Sequence, residues 1–278
     1  MTAHPEAGAM VATAEIHPTA IISDGAVVGA GARVGPYCIV GPNVVLGEGV
    51  VLESHVVVGG HTTLGARCRV FPFASIGQPP QDMKYRGEPS RLVIGADTVM
   101  REHVTINPGT ESGGMLTSIG ERCLILAGAH VAHDCRLGNG VLLVNNVVLG
   151  GHVQVEDNAI LGGGSAVHQY VRIGRHAFLG GMSGLEHDLI PFGMAIGNRA
   201  RLAGLNIVGL KRHAFPREQI HALRKAYRML FADEGTLAER VDDVARSFED
   251  EALVQGVVAF LRSGGDRSVC TPLSASDA

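Results

Sequence analysis

An aliphatic side chain recurs at every sixth residue of this chain, and that period excludes most folds before composition is considered. From Ile16 the series runs unbroken through Ile22, Val28, Val34, Val40, Leu46, Leu52, Val58, Leu64, Val70 and Ile76. It resumes at Ile94, Met100 and Ile106. It resumes again at Ile119 and continues through Ile125, Val131, Leu137, Leu143, Leu149, Val155, Leu161, Val167, Ile173, Leu179 and Leu185. A helix repeats its buried face near every 3.6 residues and a strand every 2, so neither yields a strict six. One short flat strand and one tight corner per hexad do. The anchor points inward, and the residue four places on is small or β-branched, as at Ala26, Ala32, Val44, Thr62, Ala74, Val147, Ala159 and Ser165. Glycine follows the anchor in more than half of the hexads (Gly29, Gly35, Gly41, Gly47, Gly138 and Gly150 among them). The expectation is that glycine or asparagine takes corner angles a Cβ forbids. Three hexads then close one coil of a triangular prism, and coils stack about 4.8 Å apart through sheet hydrogen bonds. A content of 38 glycines, no tryptophan and 4% aromatics suits a core filled by thin aliphatic layers.

The period divides the chain. Residues 1–15 read as an N-terminal extension, 16–190 as the β-solenoid, 191–265 as a small helical domain and 266–278 as a fraying tail. The helical signal begins at Pro216 with PREQIHALRKAYRMLF, followed by TLAERVDDVARSF and EALVQGVVAFL. Two inserts, 77–93 and 107–118, break the repeat, and a solenoid carries inserts on its outside, often at a binding face. Asp82, Lys84, Tyr85 and Arg86 make the first of them the better functional candidate. Cys38, Cys68, Cys123 and Cys135 all hold the small core position and read as core fillers.

A net charge of −4 argues against a general nucleic-acid binder. No run of eighteen apolar residues offers a membrane span, and Met1–Ala14 lacks the basic and apolar regions of a secretory signal. The cytoplasm is the expected compartment.

An eighteen-residue coil turns sequence into geometry. His133 then lies under Gly151 and Gln169, and Asp134 under His152 and Tyr170, with His130 one corner away and His168 beside Gln169. Three readings fit this patch. His133 can act as a general base supported by Asp134, with the Gly151 N–H facing a developing oxyanion. The clustered histidines can hold zinc, as in a carbonic-anhydrase-like enzyme. Or they can be corner residues bonded to backbone.

The strings GPYCIVGPNV, ESHVVVGGHT, FASIGQPPQDMKYRGEP, GAHVAHDCRLGN, NNVVLGGHV, AVHQYVRIG and GLNIVGLKRHAF resemble the UDP-N-acetylglucosamine O-acyltransferase family, in order from about Ile16 to Arg228. The resemblance implies a left-handed coil, a homotrimer with sites between neighbouring prisms, and no metal or other cofactor. The co-substrate it implies is an acyl carrier protein thioester, the acceptor a UDP-amino sugar and the pathway lipid A biosynthesis. On the family's motif, His133 is the general base, Asp134 its support and Gly151 the oxyanion donor. Asp82, Lys84, His130, His152, His168, Gln169, Asn206 and Arg212 match substrate-binding positions, and Gly181 matches the position that limits acyl length. A glycine there implies an open groove and a longer acyl group. The chain departs from the family at Arg199, where histidine is common, at Val208, where glutamate is usual, and at His213, where arginine is usual. A 3-amino acceptor in place of the 3-hydroxyl stays open at this point, since the same base serves both. Lys211, Arg212, Arg217, Arg224, Lys225 and Arg228 against the single acid Glu218 make a basic face suited to an acidic carrier protein.

Overall fold

The computed structural model describes residues 13–264 and 267–273, so much of the expected N-terminal extension and part of the expected tail lie outside the described residues. From Glu15–Ile16 to Gly184–Leu185 the chain lays down short parallel strands in three sheets, to which it contributes nine, nine and eight strands. The register is the coil. Arg136 pairs Gln154 and Gln154 pairs Arg172, each step eighteen residues. The inserts leave it intact, because Ser75 pairs Thr105 and Thr105 pairs His130 across them. Every anchor from Val34 to Leu185 is buried. The four repeat cysteines are buried too, and burial pushes the Cys68 thiol up to about 11 and the Cys135 thiol up to about 12.

The expected role of the post-anchor glycine is corrected. Left-handed angles fall three residues after the anchor, at Asp134 (φ 60°), His152 (φ 63°) and Tyr170 (φ 67°) among others. Glycine after the anchor is required by stacking instead: a Cβ at Gly150 would stand 2.8 Å from the backbone nitrogen of Gln169. Left-handed residues therefore form three vertical ladders, one per corner. One ladder carries Asp134, His152 and Tyr170, the next Asn158 and His176, the third Asn146, Gly164 and Met182. Within each, a backbone N–H bonds the coil below, as His152 does to His133 O (3.0 Å) and Tyr170 to Gly151 O (2.9 Å).

Past the solenoid, the hairpin of Gly193–Ile196 and Arg201–Leu205 extends the first of these sheets to eleven strands through parallel Phe178–Met194 pairing. Four helices follow: α1 (Ile207–Arg212), α2 (Arg217–Leu230), α3 (Leu237–Ser247) and α4 (Ala252–Arg262). The domain expected over 191–265, whose helical signal begins at Pro216, thus opens with a β-hairpin. α2 buries Ile220, Leu223, Ala226 and Leu230, one stripe at helical spacing. Thr236 and Glu239 form a capping box that starts α3. The expected fraying of the tail does not hold for residues 268–271. Val269 bridges Asp188, the Cys270 N–H donates to Asp188 O (2.8 Å) and Cys270 is 1% exposed.

Candidate active site

Both inserts leave the prism at the corner that, in the coils above, carries His133 and Asp134. The reason is register: strands ending at Ile76, Ile106, Val131, Leu149 and Val167 all lead into that corner. Asp134 is 4% exposed there and is held from three sides. The Thr110 N–H donates to one carboxylate oxygen (2.8 Å), and the Thr110 hydroxyl donates to the other (2.5 Å). His133 Nδ1 meets that second oxygen at 2.8 Å. The Asp134 N–H is bonded to Thr117 Oγ1 (2.8 Å), which fixes the turn from beneath. An Nδ1–H donated to the carboxylate leaves His133 Nε2 with its lone pair, the tautomer a general base needs. A carboxylate so engaged has little left for a metal ion. His133, Asp134 and His152 place ligand-type atoms within 4.8 Å of one another, yet the two carboxylate oxygens already have donors.

Gly151 stands against this imidazole. A Cβ there would lie 2.5 Å from His133 Cε1 and 2.7 Å from Nε2, so only glycine admits the ring. Its neighbours Gly150 and His152 donate their N–H groups to Val167 O and His133 O. Among the described residues the Gly151 N–H has no acceptor. His152 approaches the Asp134 carboxylate at 3.8 Å, and burial pushes its pKa down. Asp82 and Lys84 on the first insert add their charges at His152, which places both beside this corner. The Asp82 carboxylate accepts the Lys84 N–H (2.9 Å), tightening the insert's turn. His130 packs on Thr105, its Nδ1 2.7 Å from the hydroxyl, and burial followed by the nearby His133 lowers its pKa. His168 and Gln169 stack above Gly150 and Gly151 with their side chains exposed.

Asn206 and Arg212 stand elsewhere. Asn206 caps α1 by accepting from Gly209 N (2.9 Å) and donates from Nδ2 to His176 O (3.0 Å), on the next corner's ladder. Arg212, at the end of α1, is exposed. His213 follows it and meets His176 edge-on at 4.6 Å. Gly181 is exposed just before the third corner, and a Cβ there would touch only Gly163, at 3.2 Å from its carbonyl oxygen.

Thr110 and Gly113 escaped sequence reading. They sit in the second insert, where no period marks them, and the run Pro-Gly-Thr-Glu-Ser-Gly-Gly was the available signal. The insert's 3₁₀ turn, Glu111–Gly113, packs so closely that a Gly113 Cβ would overlap the Asp134 carboxylate. Glu88 ties the inserts together by accepting from both Arg86 N (2.7 Å) and Glu111 N (3.3 Å).

A hexapeptide coil with an oriented imidazole beside an unoccupied peptide N–H defines a hexapeptide-repeat transferase. Residues 116–151 match the bacterial transferase hexapeptide model, and residues 188–270 match domain 2 of UDP-N-acetylglucosamine O-acyltransferase. The acyl-[acyl-carrier-protein]–UDP-N-acetylglucosamine O-acyltransferase of Methylobacterium radiotolerans is 62% identical over 73% of this chain and 75% of its own length. The Agrobacterium fabrum protein of the same name is 45% identical over 95% of this chain and 97% of its own. The crystal structure of the Moraxella catarrhalis UDP-N-acetylglucosamine O-acyltransferase superposes with a TM-score of 0.89 at 39% identity, covering 92% of this chain and 99% of that one. The chain belongs to the UDP-N-acetylglucosamine O-acyltransferase family, and its solenoid is that family's left-handed parallel β-helix.

Proposed function

We propose that this protein transfers an acyl group from an acyl carrier protein thioester to the 3-hydroxyl of UDP-N-acetylglucosamine, in the lipid A pathway and in the cytoplasm. The observation that carries the reading is His133 Nδ1 fixed on Asp134, with Nε2 bordering the free Gly151 N–H. His133 Nε2 takes the hydroxyl proton as the oxygen attacks the thioester carbonyl. The Gly151 N–H accommodates the resulting oxyanion. The intermediate collapses by breaking the C–S bond, and the imidazolium returns its proton to the departing thiolate. No metal or other cofactor takes part.

Asp82, Lys84, His130, His152, His168 and Gln169 surround the sugar and acyl ends of the substrates. Asn206 and Arg212 serve the nucleotide end from a neighbouring copy in a homotrimer. Their ladder is a corner away from His133, which supports a site shared between chains. The six Lys and Arg residues from Lys211 to Arg228 are all exposed, and among the described residues none is in an ion pair, which favours steered docking of an acidic carrier. Nothing in the relatives' names supports the zinc or 3-amino alternatives.

The test is a carrier-dependent assay with UDP-N-acetylglucosamine. His133→Ala is expected to lower kcat by about a thousandfold with its melting temperature kept. Full activity in that variant removes the base. In the same assay, competition between thioesters reads Gly181: the open position favours long acyl chains, and a preference for short ones defeats that assignment.

A further inference from the structure

The ladder that carries Asp134 and His152 ends in a ring the reaction does not use. Tyr170 lies flat on His152, with ring centroids 4.3 Å apart and planes within 4°. The three residues share the left-handed corner conformation, so their side chains leave the prism in one column and the stack is built into the coil. On its other side His152 meets the His133 ring edge-on at 5.1 Å, and its Nε2 lies 3.8 Å from Asp134 Oδ2. The His152 side chain is 13% exposed, whereas Tyr170 is 50% exposed. Tyr170 is therefore the lid between His152 and solvent.

We propose that Tyr170 is a positioning residue that keeps His152 neutral and so reserves the Asp134 carboxylate for His133. Asp134 serves two imidazoles, one at 2.8 Å and one at 3.8 Å. A cationic His152 would draw the carboxylate toward itself and repel a proton arriving on His133. The groups facing His152 are Asp134, His133 and Tyr170 on the coil, with Asp82 and Lys84 on the first insert. Asp134 and Asp82 favour the cation, His133 and Lys84 oppose it, and burial opposes it most. The Tyr170 ring covers one face of that imidazole. Taking it away lets water reach the imidazole and returns the balance to the two carboxylates.

This inference rests on His133 acting as the base, and its first readout does not. Tyr170→Asn removes the ring, and asparagine tolerates the left-handed backbone at φ 67°. Glycine serves in its place if asparagine disturbs the coil. Imidazole NMR of the intact oligomer follows the His152 titration, assigned by the signal lost in His152→Gln. The expected result is a His152 midpoint about one pH unit higher in Tyr170→Asn and unchanged in Tyr170→Phe. The acid limb of the kcat/KM profile should steepen from a one-proton to a two-proton dependence, with kcat/KM at pH 6 down severalfold. Tyr170→Phe should restore the wild-type profile, since the face of the ring, not its hydroxyl, does the covering. An unmoved His152 midpoint overturns the proposal. So does a raised midpoint with an unchanged acid limb, because His152 would then not compete with His133. A wild-type protein without acyl transfer sinks the proposed reaction and leaves the His152 titration to be judged on its own.

Discussion

Asp134 shows how a residue can be legible in the sequence while its support is not. The eighteen-residue step places Asp134 beside His133 and under His152, and the backbone bond from His152 N to His133 O follows that step. The donors that hold the carboxylate come from Thr110, 24 residues earlier in an insert with no period to locate it. A repeat tells where its own members stand and is silent on chain that leaves it. The close seat of Gly113 gives a test at this scale. In Gly113→Ala the new methyl would displace either the carboxylate or the 3₁₀ turn, and His133 would lose its fixed partner. A misplacement of about 1 Å in such a group costs on the order of a hundredfold. Steady-state kinetics should therefore give kcat/KM down by about that factor, with far-UV circular dichroism unchanged. Undiminished kcat/KM would mean that the insert does not position Asp134.

Among the elements, the solenoid strands were legible because every hexad repeats the same burial demand, and α2 and α3 because a stripe and a capping box announce them. The hairpin of Gly193–Ile196 and Arg201–Leu205 was not. It pairs with a sheet edge supplied by residues elsewhere in the sequence, and it needs no alternation of its own beyond that. The segment 266–278 reads as a tail for the same reason, since the partners of residues 268–271 are distant. Asp188 anchors the second of these regions. It is 0% exposed, accepts from Arg172 Nε (2.7 Å) and Arg267 Nε (3.1 Å), and donates its backbone N–H to Ser268 O (3.0 Å). Arg172 in turn donates to Phe260 O and Ser263 Oγ at the end of α4 and lies over the Phe260 ring. Breaking a buried pair by removing one partner costs about 3–5 kcal/mol. Asp188→Asn should accordingly lower the melting temperature by several degrees, with protease cleavage appearing first near residues 264–273. A melting curve that matches the wild type would show the staple to be dispensable.

At the scale of the whole molecule, the proposed function requires two half-sites on different corners to serve one substrate. His133, Asp134 and Gly151 occupy one ladder; Asn206 is anchored to His176 on the next, and Arg212 follows on α1. A prism cannot fold one corner onto another, because each ladder is fixed by sheet hydrogen bonds in every coil. A cyclic trimer removes the difficulty by presenting the base of one chain to the α1 region of its neighbour. That arrangement makes a numerical prediction. His133→Ala and Arg212→Ala each disable every site when alone. In a mixed trimer of either composition, one of the three sites combines an intact His133 with an intact Arg212. Random assembly from equal amounts makes three-quarters of the trimers mixed, so about a quarter of all sites are whole. Co-expressing the two variants should therefore recover about a quarter of wild-type activity, whereas mixing the separately purified proteins without subunit exchange should recover none. A site contained within one chain predicts no recovery from either experiment, since every chain then carries a lesion.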